Sequence, residues 1–203
     1  MYTPKLYREE SREKILEFLQ QNDFAALVCY DGEKPVASHL LVEVLEDGEK
    51  LLINGHMSRA NSLWRTFENR AEVLVMFQGP HTYISPTWYN HVNVPTWNYQ
   101  SIHVYGSPHV ITDHDEAYSL LKRLIDRHEM NSHYKMETLP QDFVDKEMKG
   151  IVAFQIEVTQ IQANYKLSQN RNDEDYQNII SHLEERTDEL SHGVAAAMKR
   201  QRP

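Results

Sequence analysis

The 203-residue chain carries 21 Lys and Arg against 30 Asp and Glu, a formal net charge of −9, with 40% hydrophobic and 25% charged residues. That is enough chain for one domain with a sizeable core, in a composition ordinary for a soluble globular protein. The acidic balance argues against a phosphate-neutralising surface, no window approaches the roughly 18–20 apolar residues of a membrane span, and MYTPKLYREE turns charged before a leader's apolar region can form, so a cytoplasmic address is expected.

In chain order, REESREKILEFLQQND has the spacing of a short amphipathic helix with Ile15, Phe18 and Leu19 on one side. FAALVCY is a strand that ends at the turn Asp31-Gly32 and holds the single cysteine, Cys29, expected buried and inert. KPVASHLLVEVLED continues extended to a second turn at Asp47-Gly48, and KLLINGH follows. SRANSLWRTFENR then places Ala60, Leu63, Trp64 and Phe67 at helical spacing, with Ser58 as the expected cap. AEVLVMFQG, SIHVYGSPHVIT and IVAFQIEVTQIQ bring the strands to at least six; the last alternates cleanly, with Val152, Phe154, Ile156 and Val158 on one face. Between the last two, DEAYSLLKRLIDRHEM predicts a helix with Tyr118, Leu121, Leu124, Ile125 and His128 on one face.

After Lys166 the chain becomes polar and helical in pattern, with a break expected at His192-Gly193. It ends in the basic run Lys199 to Arg202, read either as a frayed, solvated helix end or as a weak nucleic-acid contact. No repeat or linker separates two domains. Antiparallel strands with peripheral helices predict a mainly β fold, a closed or partly closed barrel.

Three local patterns could carry chemistry. The join LLINGH-M-SRANSLWR puts Arg59 and Asn61 in the first turn of a helix, where unpaired N–H groups and an arginine would suit a phosphate; an ordinary capped helix reads the same way. His39 has apolar neighbours on both strand faces and reads as a core histidine or as a donor to a ligand. The stretch FQGPHTYISPTWYNHVNVPTWNYQ, residues 77–100, holds six aromatic residues and no charge, and suits core, partner interface or the rim of a pocket for a flat ligand. The eleven histidines contain no HExxH; His109/His114 and His128/His133 are spaced i,i+5, so no metal site is expected. No Walker loop, GxGxxG, GxSxG or Cys-His arrangement is present, so no catalytic residue is assigned.

GHMSRAN followed by W-R, FQGPHTYISPTWY, VPTWNYQSIHVYG and the late KLSQNR together resemble the PaiB-type family of FMN-binding negative transcriptional regulators, from MYTPKLY to at least KLSQNR. The resemblance implies an FMN-binding split β-barrel over residues 1–168, a C-terminal helical extension over 169–203 packed on the same domain, and a homodimer with flavin near the subunit interface. It also implies repression of sporulation and extracellular protease or other degradative-enzyme genes. Carried over by position, Asn54, His56, Ser58, Arg59 and Asn61 would face the FMN phosphate, and Ser38, His39 and Leu40 would lie along the isoalloxazine edge. Gln78 would contact the ring or ribityl chain, and Trp97 and Asn98 would come from the neighbouring subunit. No helix-turn-helix is evident, so tight direct DNA binding is not expected, and repression is expected to run through a regulatory protein partner or a flavin-dependent signal. The alternatives are a flavin-dependent oxidoreductase, whose fold the resemblance shares, and a haem-binding or haem-degrading protein with His39 or His56 as ligand.

Overall fold

Two tight turns begin the sheet. Asp31 Oδ1 accepts from the backbone N–H groups of Glu33 and Lys34, both at 2.9 Å, around Gly32 at φ +103°. Gly48, at φ +62°, turns the next hairpin in a region that costs glycine little. The computed structural model describes residues 1–69 and 72–202. Arg70 and Ala71, the expected last residue of one helix and first of the next strand, lie outside the described residues.

Six strands follow the order β1-β2-β3-β6-β5-β4 in a closed barrel. They are β1 (Phe24–Tyr30), β2 (Pro35–Asp47), β3 (Lys50–Ser58), β4 (Val73–Ile84), β5 (Thr96–Ile111) and β6 (Ile151–Lys166). The helices are α1 (Arg12–Gln21), α2 (His114–His128), α3 (Gln141–Lys149), α4 (Asp173–Glu184) and α5 (Glu189–Gln201). The fold is mainly β with peripheral helices, as the strand pattern predicts.

Contacts divide the chain into two compact units. One comprises residues 19–77 and 104–161, the other residues 1–18, 78–103 and 162–203. In the first, alternation along the strands turns Leu27, Ile53, Val75, Phe77, Phe154 and Ile156 inward, each at most 1% exposed. A satellite core of Ile111, Leu120, Leu124, Val144 and Met148 lies under α2 and α3. The buried face of α2 is Ala117, Leu120 and Leu124, whereas Tyr118, Leu121 and Ile125 are only partly buried, which moves the expected face by part of a turn. In the second unit, Tyr176 is buried and donates to the Met198 carbonyl at 2.7 Å, joining α4 to α5.

Three sequence expectations change. The segment after LLINGH is not an α-helix capped by Ser58: β3 runs through Ser58, and a 3-10 helix occupies Ser62–Asn69. Strand pairing of Ser58 with Ile151 holds the chain extended past the expected start, and Asn61 Oδ1 caps Leu63 N–H at 3.1 Å instead. The helix does not break at Gly193. It stops at Glu184 and restarts at Glu189 behind the Asp188 cap; Gly193 lies inside α5, where a Cβ would stand 2.7 Å from the Pro80 ring, so the glycine serves close packing and not a helix end. Nor is the basic end frayed. Lys199 pairs with Glu184 at 2.5 Å, and Arg202 pairs with Asp173 and lies 4.7 Å from the Tyr176 ring centroid.

Candidate functional site

β3 presents its site residues on alternating positions, whereas those of β2, Ser38 to Leu40, are consecutive. In β3, Leu51, Ile53 and Met57 point into the core, so Asn54, His56 and Ser58 share the opposite face. His39, Leu40, His56 and Ser58 line one open cleft of about 490 Å³, completed by Leu41, Met57, Glu147, Gly150 and Ile151. His39 stacks on Phe24, with centroids 5.9 Å apart.

His56 is the polar group that this cleft leaves unfinished. Its Nδ1 is buried and has no hydrogen-bond partner among the described residues. Burial pushes its pKa below the ordinary histidine value, so the ring is neutral at pH 7 and carries one donor and one acceptor nitrogen. A buried polar atom without a partner is uncommon in a folded protein and calls for an explanation.

The other positions are distributed differently. Asn61 Nδ2 donates to Ser38 Oγ at 2.8 Å, and the two line a separate small cleft of about 90 Å³. Asn54 is buried and accepts from Gln155 Nε2 at 3.0 Å, in a third cleft beside α2. Arg59 does not line the His56 cleft. Its Nε donates to the Lys149 carbonyl at 2.8 Å and its Nη2 to the Ile151 carbonyl at 2.6 Å, while its backbone N–H donates to Gly150 at 2.8 Å. The backbone of the Ser58–Leu63 turn is also committed: Ala60 N–H donates to Ser58 Oγ at 3.3 Å and Asn61 N–H to Ser58 O at 2.9 Å. The turn is therefore not a row of free N–H groups.

The remaining three positions belong to the second unit. Gln78 is exposed, and its Nε2 donates to the Gln100 carbonyl at 3.1 Å. Trp97 is 45% exposed and donates from Nε1 to His81 Nδ1 at 3.3 Å. Asn98 has no exposed surface; its Nδ2 donates to Ser168 Oγ at 3.0 Å, so it acts as an internal tie. The uncharged aromatic stretch is accordingly split. Phe77 is core, Trp88 stacks on His182 at 5.1 Å, and Tyr83 and Trp97 stay exposed.

Ile151 enters the sequence reading only as the start of a strand, and Glu147 and Gly150 escape it because it predicts no helix over α3. Its signal is present: Pro140 precedes it, Val144 and Met148 are spaced i,i+4, and Gly150 follows. Among the described residues no cluster of three or more His, Cys, Asp or Glu could hold a metal ion.

A family profile described as "Putative FMN-binding domain" matches residues 1–160. The chain is 42% identical over 186 residues to the protease synthase and sporulation protein PAI 2 of Bacillus subtilis, covering 91% of this chain and 89% of that protein. Among solved structures, the FAD and heme binding protein from Mycobacterium smegmatis superposes with a TM-score of 0.60 at 18% identity, over 84% of this chain and 79% of that one. The flavocytochrome Anf3 from Azotobacter vinelandii gives a TM-score of 0.60 at 15% identity, over 84% and 75%. These two likenesses bear on the fold alone, which is split-barrel-like.

Proposed function

The chain belongs to the PaiB-type family of putative FMN-binding proteins, and from that premise we propose that it binds FMN in the His39–His56–Ser58 cleft and acts as a negative regulator of sporulation and degradative-enzyme genes. The observation that carries the ligand is the orphaned His56 Nδ1. The edge of an isoalloxazine ring offers both donors and acceptors, so a neutral imidazole can be satisfied there whichever tautomer it holds. The cleft volume of about 490 Å³ lies within the range of small-molecule sites. When bound, FMN would supply redox chemistry, and the protein would supply position and exclusion of water.

Within this reading His39, Leu40 and His56 lie along the ring, and Ser58 offers its hydroxyl at the phosphate end. Ser38, Asn54 and Asn61 support the strands. Arg59 is a positioning residue that holds Lys149–Ile151, one wall of the cleft, in place. Trp97, 45% exposed, is offered to the flavin of a second copy of the chain, and no flavin contact is assigned to Gln78. Asn98, fully buried, is left out.

Regulation through a protein partner accounts better for the charge than direct DNA binding. Of the three basic residues in the Lys199–Arg202 run, Lys199 and Arg202 are already paired with Glu184 and Asp173. The functional test is titration of the purified chain with FMN, followed by NADH. A saturable flavin spectrum with negligible NADH oxidation is the expected result. No flavin binding would overturn the ligand, and sustained NADH oxidation would replace the regulator with an oxidoreductase. Exposed Tyr83, Val94 and Trp97 support a homodimer, which sedimentation at micromolar concentration should show as twice the chain mass; a stable monomer would remove it.

A further inference from the structure

The cleft that holds His39, His56 and Ser58 carries formal charge in one place. Apart from its two histidines, Glu147 is the single ionisable side chain among the described residues that line it, and no Lys or Arg does so. Glu147 is exposed, and its carboxylate has no hydrogen-bond or ion-pair partner among the described residues.

The local structure puts the charge there. The last turn of α3 forms part of the cleft wall: Glu147 and Gly150 both line it, and the Gly150 N–H donates to the Glu147 carbonyl at 2.9 Å. A helix C-terminus carries partial negative charge, which adds to that of the carboxylate. The basic residues of the same turn, Lys146 and Lys149, do not line the cleft; Lys149 lines a separate one beside α2. Arg59 also lines that separate cleft, with its guanidinium on the Lys149 and Ile151 carbonyls. Sites built for phosphate place Arg, Lys or helix N-terminal N–H groups against it, and this wall offers the opposite charge.

We propose that Glu147 is a specificity-determining residue of the cleft: it disfavours a phosphate, so that riboflavin, the phosphate-free flavin, binds at least as tightly as FMN. This rests on the reading that a flavin ring occupies the cleft. It requires no particular placement of the phosphate inside it. A volume of about 490 Å³ is roughly 8 Å across, about one Debye length at physiological ionic strength, so a phosphate anywhere within still feels the carboxylate. The uncharged ring does not, and the two flavins are therefore separated by Glu147 alone among the lining carboxylates.

The test is fluorescence titration of the full chain with riboflavin and FMN at pH 8, well above the ordinary histidine range. FMN should bind the parent chain no more tightly than riboflavin. Glu147→Gln should raise FMN affinity about threefold to tenfold and leave riboflavin unchanged, and Glu147→Lys should raise FMN affinity further. Asp142→Asn removes a charge of the same sign from the first turn of the same helix, outside the lining of the cleft, and should leave the ratio of the two affinities unchanged. Added salt should favour FMN over riboflavin in the parent chain, because repulsion is screened, and should do so less in Glu147→Gln. Tighter binding of FMN than of riboflavin by the parent chain, a preference for FMN that falls with salt, or an equal ratio in parent and Glu147→Gln would overturn this specificity and leave the flavin site standing. Binding of neither flavin would overturn the flavin site, and the specificity with it.

Discussion

The Arg59 guanidinium donates to the Ile151 carbonyl at 2.6 Å, fastening the end of β3 to the start of β6. Because a second bond reaches the Lys149 carbonyl at 2.8 Å, the side chain acts as a clamp on the Gly150 turn. Arg59→Ala should therefore weaken FMN and riboflavin alike, each by about tenfold, through a loosened wall; hydrogen bonds from a charged group contribute about 1.5–3 kcal/mol each, and part of that loss is relieved by water at an exposed site. Fluorescence titration of both flavins is the check. A loss confined to FMN would put the guanidinium on the phosphate.

His56→Phe keeps a ring of similar shape and removes both nitrogens. Flavin affinity should fall by tenfold or more, whereas the melting temperature of the ligand-free protein should not fall, since an unpartnered buried polar atom costs about 1–3 kcal/mol. A lower melting temperature with unchanged flavin affinity would assign His56 to the core.

The same residue sets a pH dependence. Its folded-state pKa is depressed by burial, so below the ordinary histidine value of about 6.5 the unfolded chain takes up a proton that the folded chain refuses. Stability contributed by neutral His56 is complete above that value and is lost as pH falls from it towards the depressed folded pKa. His103, also depressed by burial, adds to the slope. Denaturant midpoints measured between pH 7 and pH 5 should decline less steeply in His56→Phe than in the parent chain.

Gly106 is the position least able to accept a side chain. A Cβ there would stand 2.5 Å from the Glu157 carbonyl oxygen and 2.5 Å from Ile156 Cγ2, and a backbone carbonyl cannot swing aside. Gly106→Ala should cost about 1–3 kcal/mol by overpacking and lower the melting temperature by several degrees. An unchanged melting temperature would mean that β5 and β6 separate there at little cost.

Truncation after Met198 should act on stability and not on nucleic acid. It removes the Lys199–Glu184 and Arg202–Asp173 pairs and the Arg202 contact with Tyr176, so α4 and α5 should unfold at lower denaturant. Retention of DNA at physiological salt should be negligible before and after. Tight binding in the parent that survives truncation would reveal a recognition surface elsewhere.

By itself, the sequence determined the six strands, the Asp31-Gly32 and Asp47-Gly48 turns, the first four helices except α3, and the family. Each rests on a local signal: two-residue alternation in β6, a turn residue at φ > 0, a long motif such as FQGPHTYISPTWY. Tertiary structure decided what those signals cannot contain. Ser58 belongs to a strand because Ile151, more than ninety residues later, pairs with it. Gly193 is a packing glycine inside a helix, its missing side chain leaving room for Pro80, and Arg59 faces the carbonyls of Lys149 and Ile151. Asn98 and Trp97 are sequence neighbours with opposite fates, one sealed against Ser168 and the other 45% exposed, because adjacent residues of a strand point to opposite faces and only the packed fold says which face is covered.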